Sequence, residues 1–152
     1  MNLFLLLHVS SVVVWVGGMF FAYMALRPVA ASVLEPPQRL TLWAGVFGKF
    51  FPWVWASVVL ILLSGLYMLM LIGGGSAPHY AMTMLALGLV MMLIFAHVFF
   101  APYKKLKRAV GAQDWKAGGM ALAQIRRLIG INLGLGLLTI AVVFIGRALL
   151  PS

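Results

Sequence analysis

The sequence predicts an all-α protein, an integral membrane bundle of four helices. Four stretches of the chain carry almost no formal charge and are long enough to cross a bilayer, at about residues 3–26, 51–72, 80–102 and 128–149. About 20 apolar residues, each rising about 1.5 Å along a helix, match the roughly 30 Å hydrocarbon layer of a membrane. Polar side chains inside these stretches are therefore the first candidates for function.

The composition favours a single membrane domain over residues 1–152. The chain is 64% hydrophobic and 9% charged, with a mean hydropathy of +1.12, and a soluble domain of this length could not bury so much apolar surface. It has no cysteine, which excludes disulfides, thiolate metal sites and cysteine nucleophiles. Its only carboxylate side chains, Glu35 and Asp114, fall between the predicted spans. No acidic side chain is therefore expected to relay protons or hold a hard cation within the membrane.

The net charge of +9 is distributed as membrane topology requires, so no nucleic-acid partner is expected. Lysine and arginine are concentrated in two of the connections between spans. These residues are Arg27, Arg39 and Lys49 in the first connection, and Lys104, Lys105, Lys107, Arg108, Lys116, Arg126 and Arg127 in the last. The positive-inside rule then predicts that both basic connections are cytoplasmic and both termini are outside. The basic connections are also expected to attract anionic membrane lipids.

Proline marks the predicted breaks between helices. Arg27-Pro28 predicts a kink or stop at the end of the first span, because proline cannot donate to the helical ladder, and Glu35-Pro36-Pro37 predicts a clear break. Residues 38–49 mix apolar and polar side chains, as a helix lying at the cytoplasmic interface does. A group of aromatic side chains is predicted to anchor the second span at that interface: Trp43, Phe50, Phe51, Trp53 and Trp55.

Proline and aspartate residues later in the chain predict where the remaining helices begin. Pro52 falls in the first turn of the second span, where a missing N–H costs little. A short basic helix follows Ala101-Pro102, and Asp114 is placed to cap a helix that starts at Trp115 and continues into the fourth span.

Small residues lie where membrane helices could approach closely. Gly130 and Gly134 form a GxxxG pair in the fourth span, and Gly17, Gly18 and Ala22 form a similar group in the first. These faces predict either packing within the bundle or a homodimer.

His8 is the most informative single residue, because it lies inside the first span. Val12, Trp15 and Met19 follow on the same helical face. A histidine in hydrocarbon is costly unless it is neutral and hydrogen-bonded, or bound to a ligand. Imidazole binds heme iron, copper and zinc. Two interpretations stay open: a metal or heme ligand, or a neutral histidine bonded to a neighbouring helix.

The other histidines lie elsewhere along the chain. His97 is near the inner end of the third span, about 18 Å from His8 in depth, so the two are not expected to ligate one iron within one subunit. His97 is a candidate ligand at a second level, or a helix-end residue that reaches the interface. His79 and Met82 lie near the outer turn and are placed to catch copper, although an exposed loop histidine usually has no special role.

Ten methionines are a high count for this chain, and thioether sulfur suits Cu(I). Met84 and Met91 share one face of the third span, although methionine also packs flexibly inside bundles. Arg126, Arg127 and Asn132 lie where the fourth span enters the membrane. They are placed to bind an anionic group such as a heme propionate or a lipid phosphate, or simply to flank the span.

Several segments together resemble the CopD-like membrane proteins over nearly the whole chain. They are Leu7–Val9, Val14–Phe21, Arg27-Pro28, Glu35–Leu40, Phe50–Trp55, Ala96–Tyr103 and Ile125–Asn132. The resemblance implies a multi-pass protein of the bacterial inner membrane that handles copper. In that setting His8 would be the intramembrane ligand and methionines would be soft helpers.

A more distant similarity is to HemJ, the four-helix protoporphyrinogen oxidases that contain heme. Their first span also reads histidine, then tryptophan, then a small residue and glycine, and their third span carries a histidine before a basic stretch. The similarity implies that His8 holds heme b. HemJ proteins also rely on a lysine early in the third span, whereas this chain has no lysine between Lys49 and Lys104. The similarity therefore implies heme binding, while this chain lacks one of the residues on which protoporphyrinogen oxidation relies in HemJ.

Three functions follow from these observations. The leading hypothesis is a copper-handling membrane protein, with candidate metal ligands His8, His97, Met19, Met84 and Met91. The alternative is a membrane redox protein that binds heme b, with candidate cofactor contacts His8, His97, Trp15, Arg127 and Asn132; any enzymatic activity would then be that of a heme-dependent oxidoreductase. The third is a structural or assembly subunit without a ligand. The choice between copper and heme b stays open.

Overall fold

A computed structural model describes residues 1–149, which form helices joined by short turns. In chain order the elements are α1 (Asn2–Phe21), a π-helical turn (Ala22–Leu26), α2 (Arg27–Val33), α3 (Pro36–Leu71), a 3-10 turn (Gly74–Ser76), α4 (His79–Phe100), α5 (Pro102–Gly111) and α6 (Trp115–Leu149). Four helical segments of this part of the chain are long and apolar enough to cross a membrane. The predicted all-α fold with four spans is therefore confirmed.

The helices pack antiparallel, with α1 mainly against α3 and α4 mainly against α6. Phe4 stacks on Tyr67 with ring centroids 4.1 Å apart, and Gly18 lies against the Phe50 ring farther along the same pair of helices. Tyr80, at the start of α4, lies against Gly146, near the end of α6. The start of α1, the end of α6 and the glycine turn therefore share one end of the bundle, here called the turn end.

The opposite end, here called the basic end, comprises residues 27–49 and 102–127. It extends beyond the membrane, since α3 has 36 residues and α6 has 35, against about 20 needed for a span. Most of the largest fully buried side chains lie here: Leu40, Pro102, Leu106 and Ile125. A water-facing end needs such an apolar core, because the hydrophobic effect operates there and not between helices surrounded by lipid.

The predicted interfacial helix at residues 38–49 is wrong in its placement. The segment is the first part of the continuous helix α3, and Leu40, Trp43 and Phe47 are buried in the core cluster. Helices α5 and α6 cover this face, so its apolar side chains contact protein and not lipid headgroups.

The prolines follow the prediction at Glu35, follow it in part at Pro28, where a kink or stop is predicted, and depart from it at Pro52. Pro28 does not stop the first helix, because the chain continues through the π-helical turn, in which the Arg27 N–H bonds to the Ala22 carbonyl. Pro52 lies in the interior of α3 and not in a first turn. The break at Glu35 is confirmed, since Glu35 and Gln38 form a capping box at the start of α3. A cap stabilises the helix where the chain resumes.

The predicted aromatic belt at the second span is largely an aromatic core. Trp43 and Phe51 are buried, and Trp55 packs edge-on against Phe95 with ring centroids 4.9 Å apart. Trp53 is 67% exposed and is the member of the predicted group that faces the bundle's surroundings. Helices α4 and α5 bring the partner rings to α3, which the sequence of one span does not reveal.

Some of the small residues serve packing within the bundle, and others do not. A Cβ atom at Gly130 would lie 3.0 Å from the Tyr23 ring, and one at Gly136 would lie 3.0 Å from Val16. Gly17 and Gly134 face open space, so the homodimer stays a prediction. The predicted cap at Asp114 is confirmed, because its Oδ1 accepts a hydrogen bond of 3.1 Å from the Ala117 N–H.

Candidate functional site

The His8 ring lies half-buried on α1, where it meets α3 near the turn end. Its Nδ1 is 3.0 Å from the Oγ of Ser64, a side chain that is 3% exposed. The Ser64 hydroxyl in turn donates to the backbone carbonyl of Leu60, with the Ile61 carbonyl 3.3 Å away. The ring is thus connected to the backbone of α3 through one hydroxyl.

This hydrogen-bond chain favours one tautomer of His8. A serine hydroxyl has one proton to donate, and here that proton goes to the α3 backbone. In that arrangement the Ser64 oxygen accepts from His8, and the ring proton is on Nδ1. The lone pair on Nε2 is left to bind a ligand. A histidine whose Nδ1–H is held by a neighbouring acceptor has the arrangement that metal-binding histidines use.

Gly65 provides the surface against which the ring lies. A Cβ atom at this position would be 3.1 Å from His8 Cε1, closer than ordinary contact, so a larger residue would push the ring away from Ser64. Sequence reasoning missed Ser64 and Gly65. The available signal was a serine followed by glycine in the middle of an otherwise apolar span.

A second group of predicted residues meets at the centre of the bundle. Trp15, Met19 and Asn132 line a small cavity of about 20 Å³, together with aromatic and aliphatic side chains of α3, α4 and α6. Asn132 is 3% exposed, and its Nδ2 donates a hydrogen bond of 3.1 Å to the carbonyl of Met91. Its Oδ1 is buried without a hydrogen-bond partner among residues 1–149.

The cavity is too small for a porphyrin. Its volume of about 20 Å³ has room for about one water molecule, and its walls are packed aromatic and aliphatic side chains. Trp15 and Asn132, predicted as heme contacts, thus line a cavity without room for heme b in this arrangement, and their role as heme contacts stays a prediction.

The remaining predicted residues lie neither at the contact between His8 and Ser64 nor at the central cavity. His97 is exposed near the end of α4, and Arg127 is exposed on α6. Met84 is half-buried on α4, which packs chiefly on α6. Met19 follows His8 by eleven residues on one helix, or about 16 Å, so the two cannot ligate one ion. Within residues 1–149 there is no group of three His, Cys, Asp or Glu side chains that could hold a metal.

Comparison with known proteins gives one match. The family model described as CopD, copper resistance protein D, matches residues 44–145, while neither the curated proteins nor the solved structures give a match. The matched range runs from α3 through most of α6, and His8, Trp15 and Met19 precede it. The match extends over more than half of a chain whose four helices can span a membrane. The chain belongs to the copper resistance protein D (CopD) family and is a multi-pass membrane protein.

Proposed function

We propose that this protein handles copper within the membrane and that the Nε2 atom of His8 binds Cu(I) as cargo. The observation that carries the proposal is the chain of hydrogen bonds from His8 Nδ1 through Ser64 to the α3 backbone. It supports a neutral imidazole with a free lone pair, positioned in a membrane helix of a copper resistance family member.

Neutral ligands suit this cargo. Cu(I) prefers soft or imidazole donors, and the two carboxylate side chains of the sequence lie outside the spans. Met68 lies one helical turn after Ser64 on α3 and is half-buried, so it is a thioether on the same side of the helix as the His8 partner. We propose His8 and Met68 as the first soft donors that copper meets near the turn end.

Met19 and Met91 would act at a later step. Both are buried. Met19 lines the central cavity about 16 Å deeper than His8 along α1, and Met91 is joined to the same cavity by the bond from Asn132 to its carbonyl. Thioethers at successive depths would let the ion move between neutral donors without a buried carboxylate. Met84 and His97 have no assigned place in this route.

The test is copper binding by the purified chain in detergent, loaded with Cu(I) under anaerobic conditions. We expect bound copper in the wild type, its loss in His8→Ala, and its retention in His79→Ala, which removes an exposed histidine at the turn end. Retention of copper by His8→Ala would overturn the assignment.

The same samples separate the alternatives. An absorption spectrum with a Soret band that His8→Ala abolishes would identify a heme b protein instead of a copper-handling one. Absence of both copper and heme, with no change of phenotype in cells carrying His8→Ala, would identify a subunit that has only a structural or assembly role.

A further inference from the structure

An open groove runs along one face of α3 at the basic end. Its volume is about 820 Å³, and Leu34, the residue that follows α2, contributes to one wall. Along α3 the groove passes from Gln38 and Thr41 through Gly45 to Lys49 and Trp53. These positions recur every three or four residues, so they form one continuous stripe on the helix.

The groove crosses the expected boundary between water and membrane. Lys49 precedes the end of α3 at Leu71 by 22 residues, which corresponds to about 33 Å of helix, slightly more than the roughly 30 Å hydrocarbon layer. Trp53 lies one turn deeper and is 67% exposed, as is typical of tryptophan at a membrane interface. The cation is thus at headgroup level, with apolar surface directly below it.

The charge of Lys49 is not balanced by either acidic side chain. Glu35 caps α3, about 21 Å away along the helix, and Asp114 caps α6. Beside Lys49, a Cβ atom built on Gly45 would meet nothing within 4 Å, so the floor of the groove is open at this level. Val46 and Phe50 continue the apolar lining toward Trp53.

We infer that this groove binds one anionic phospholipid, with its phosphate at Lys49 and an acyl chain along Val46, Phe50 and Trp53. A cation at headgroup depth and an apolar channel below it match the two parts of such a lipid. A neutral lipid would occupy the channel without the charge contact, and a second copy of this basic chain would bring another cation to Lys49. The inference is independent of the copper proposal.

The test uses Trp53 as a local reporter in the full chain, reconstituted into phosphatidylcholine vesicles. Tryptophan quenching by brominated phosphatidylglycerol is compared with quenching by brominated phosphatidylcholine at the same mole fraction. The difference between the wild type and Trp53→Phe isolates the Trp53 signal. We expect Trp53 to prefer the anionic lipid, and Lys49→Gln to reduce that preference about fivefold, the effect of one lysine near an anionic surface.

Lys105→Gln is the matched control, because Lys105 is an exposed lysine of the basic end that does not line the groove. It should leave the Trp53 preference nearly unchanged.

Equal quenching by the two lipids in the wild type would overturn the inference. So would an equal loss in both lysine variants, which would indicate diffuse charge attraction. Loss of the preference on adding inorganic phosphate would show that the site holds the ion alone. Quenching that falls as protein density in the vesicles rises would assign the groove to a second copy.

Discussion

The proton of the Ser64 hydroxyl decides which nitrogen of His8 keeps a lone pair. Because the hydroxyl donates to the α3 backbone, its oxygen is the acceptor for His8 Nδ1. The ring is therefore oriented by a group that does not itself touch the proposed cargo. Ser64 is a positioning residue, and its effect should appear in affinity and not in folding alone.

Ser64→Ala is expected to weaken Cu(I) binding by about 10- to 100-fold, the usual cost of losing a partner that orients a metal-binding histidine. Competition with a chromophoric Cu(I) chelator measures the affinity. Ser57→Ala is the matched control, since Ser57 is also a buried serine of α3, at 4% exposure. An unchanged affinity in Ser64→Ala, or an equal loss in Ser57→Ala, would contradict the orienting role.

Asn132 differs from His8, because within residues 1–149 its amide nitrogen is hydrogen-bonded and its amide oxygen is not. We expect Asn132→Leu to leave the free energy of unfolding within about 1 kcal/mol of the wild type. The lost hydrogen bond to Met91, worth about 0.6 kcal/mol in membrane helices, is offset by removing an unsatisfied buried acceptor. Equilibrium unfolding in mixed micelles measures the change.

Asn132→Asp is the companion variant. It keeps the side-chain shape but places a carboxyl group at the centre of the bundle, which should cost about 3 kcal/mol. If Asn132→Leu proves as destabilising as Asn132→Asp, the amide oxygen has a partner that stabilises the folded state, such as a water molecule in the central cavity.

At the scale of elements, hydropathy alone was sufficient to locate the spans. It did not locate where the helices begin, because residues 36–49 look amphipathic and interfacial until α5 and α6 are placed over Leu40, Trp43 and Phe47. Proline was similarly ambiguous. The π-helical turn absorbs the break expected at Pro28, whereas the capping box at Glu35 agrees with its local signal.

The candidate site shows the same division between local and long-range information. His8 was identifiable from its position in an uncharged span. Ser64 was not, because its contact with His8 depends on the antiparallel register of α1 and α3 across 56 residues of sequence. Likewise, the contact of Trp15 and Met19 with the cavity that Asn132 lines depends on how α1 packs against α6.

Helix packing at Gly18 supplies a test with a control one residue away. A Cβ atom at Gly18 would collide with the Phe50 ring, whereas one at Gly17 would meet nothing within 4 Å. Gly18→Ala should lower stability by about 1–3 kcal/mol through overpacking. Gly17→Ala should be neutral or slightly stabilising, because alanine favours helix.

Thermal unfolding of the two variants in the same detergent measures this difference. Equal stability would mean that the Phe50 ring moves aside without cost, and that α1 and α3 do not depend on close approach at this point.

For the whole molecule, the turn end and the basic end should face opposite sides of the membrane. Positive-inside bias predicts that the basic end is cytoplasmic and that both termini are outside. Alkaline phosphatase fused to either terminus should be active in bacterial cells, while green fluorescent protein inserted after Gly111, in the connection between α5 and α6, should fluoresce. The opposite pattern of activities would reverse the assigned orientation.

The two ends should also differ in what stabilises them. Leu106 is fully buried at the basic end, where it shares the surroundings of Gly118 with Leu40, so Leu106→Ala should lower stability by about 2–5 kcal/mol. Leu93→Ala, at a position on α4 that is 71% exposed, should change stability by no more than about 0.5 kcal/mol.

Leu40 and Ser64 are about 36 Å apart along α3. A Leu106→Ala protein that remains folded at low temperature should therefore bind Cu(I) at His8 with wild-type affinity. Loss of affinity in that folded variant would mean that the core of the basic end is coupled to the proposed copper site across the membrane.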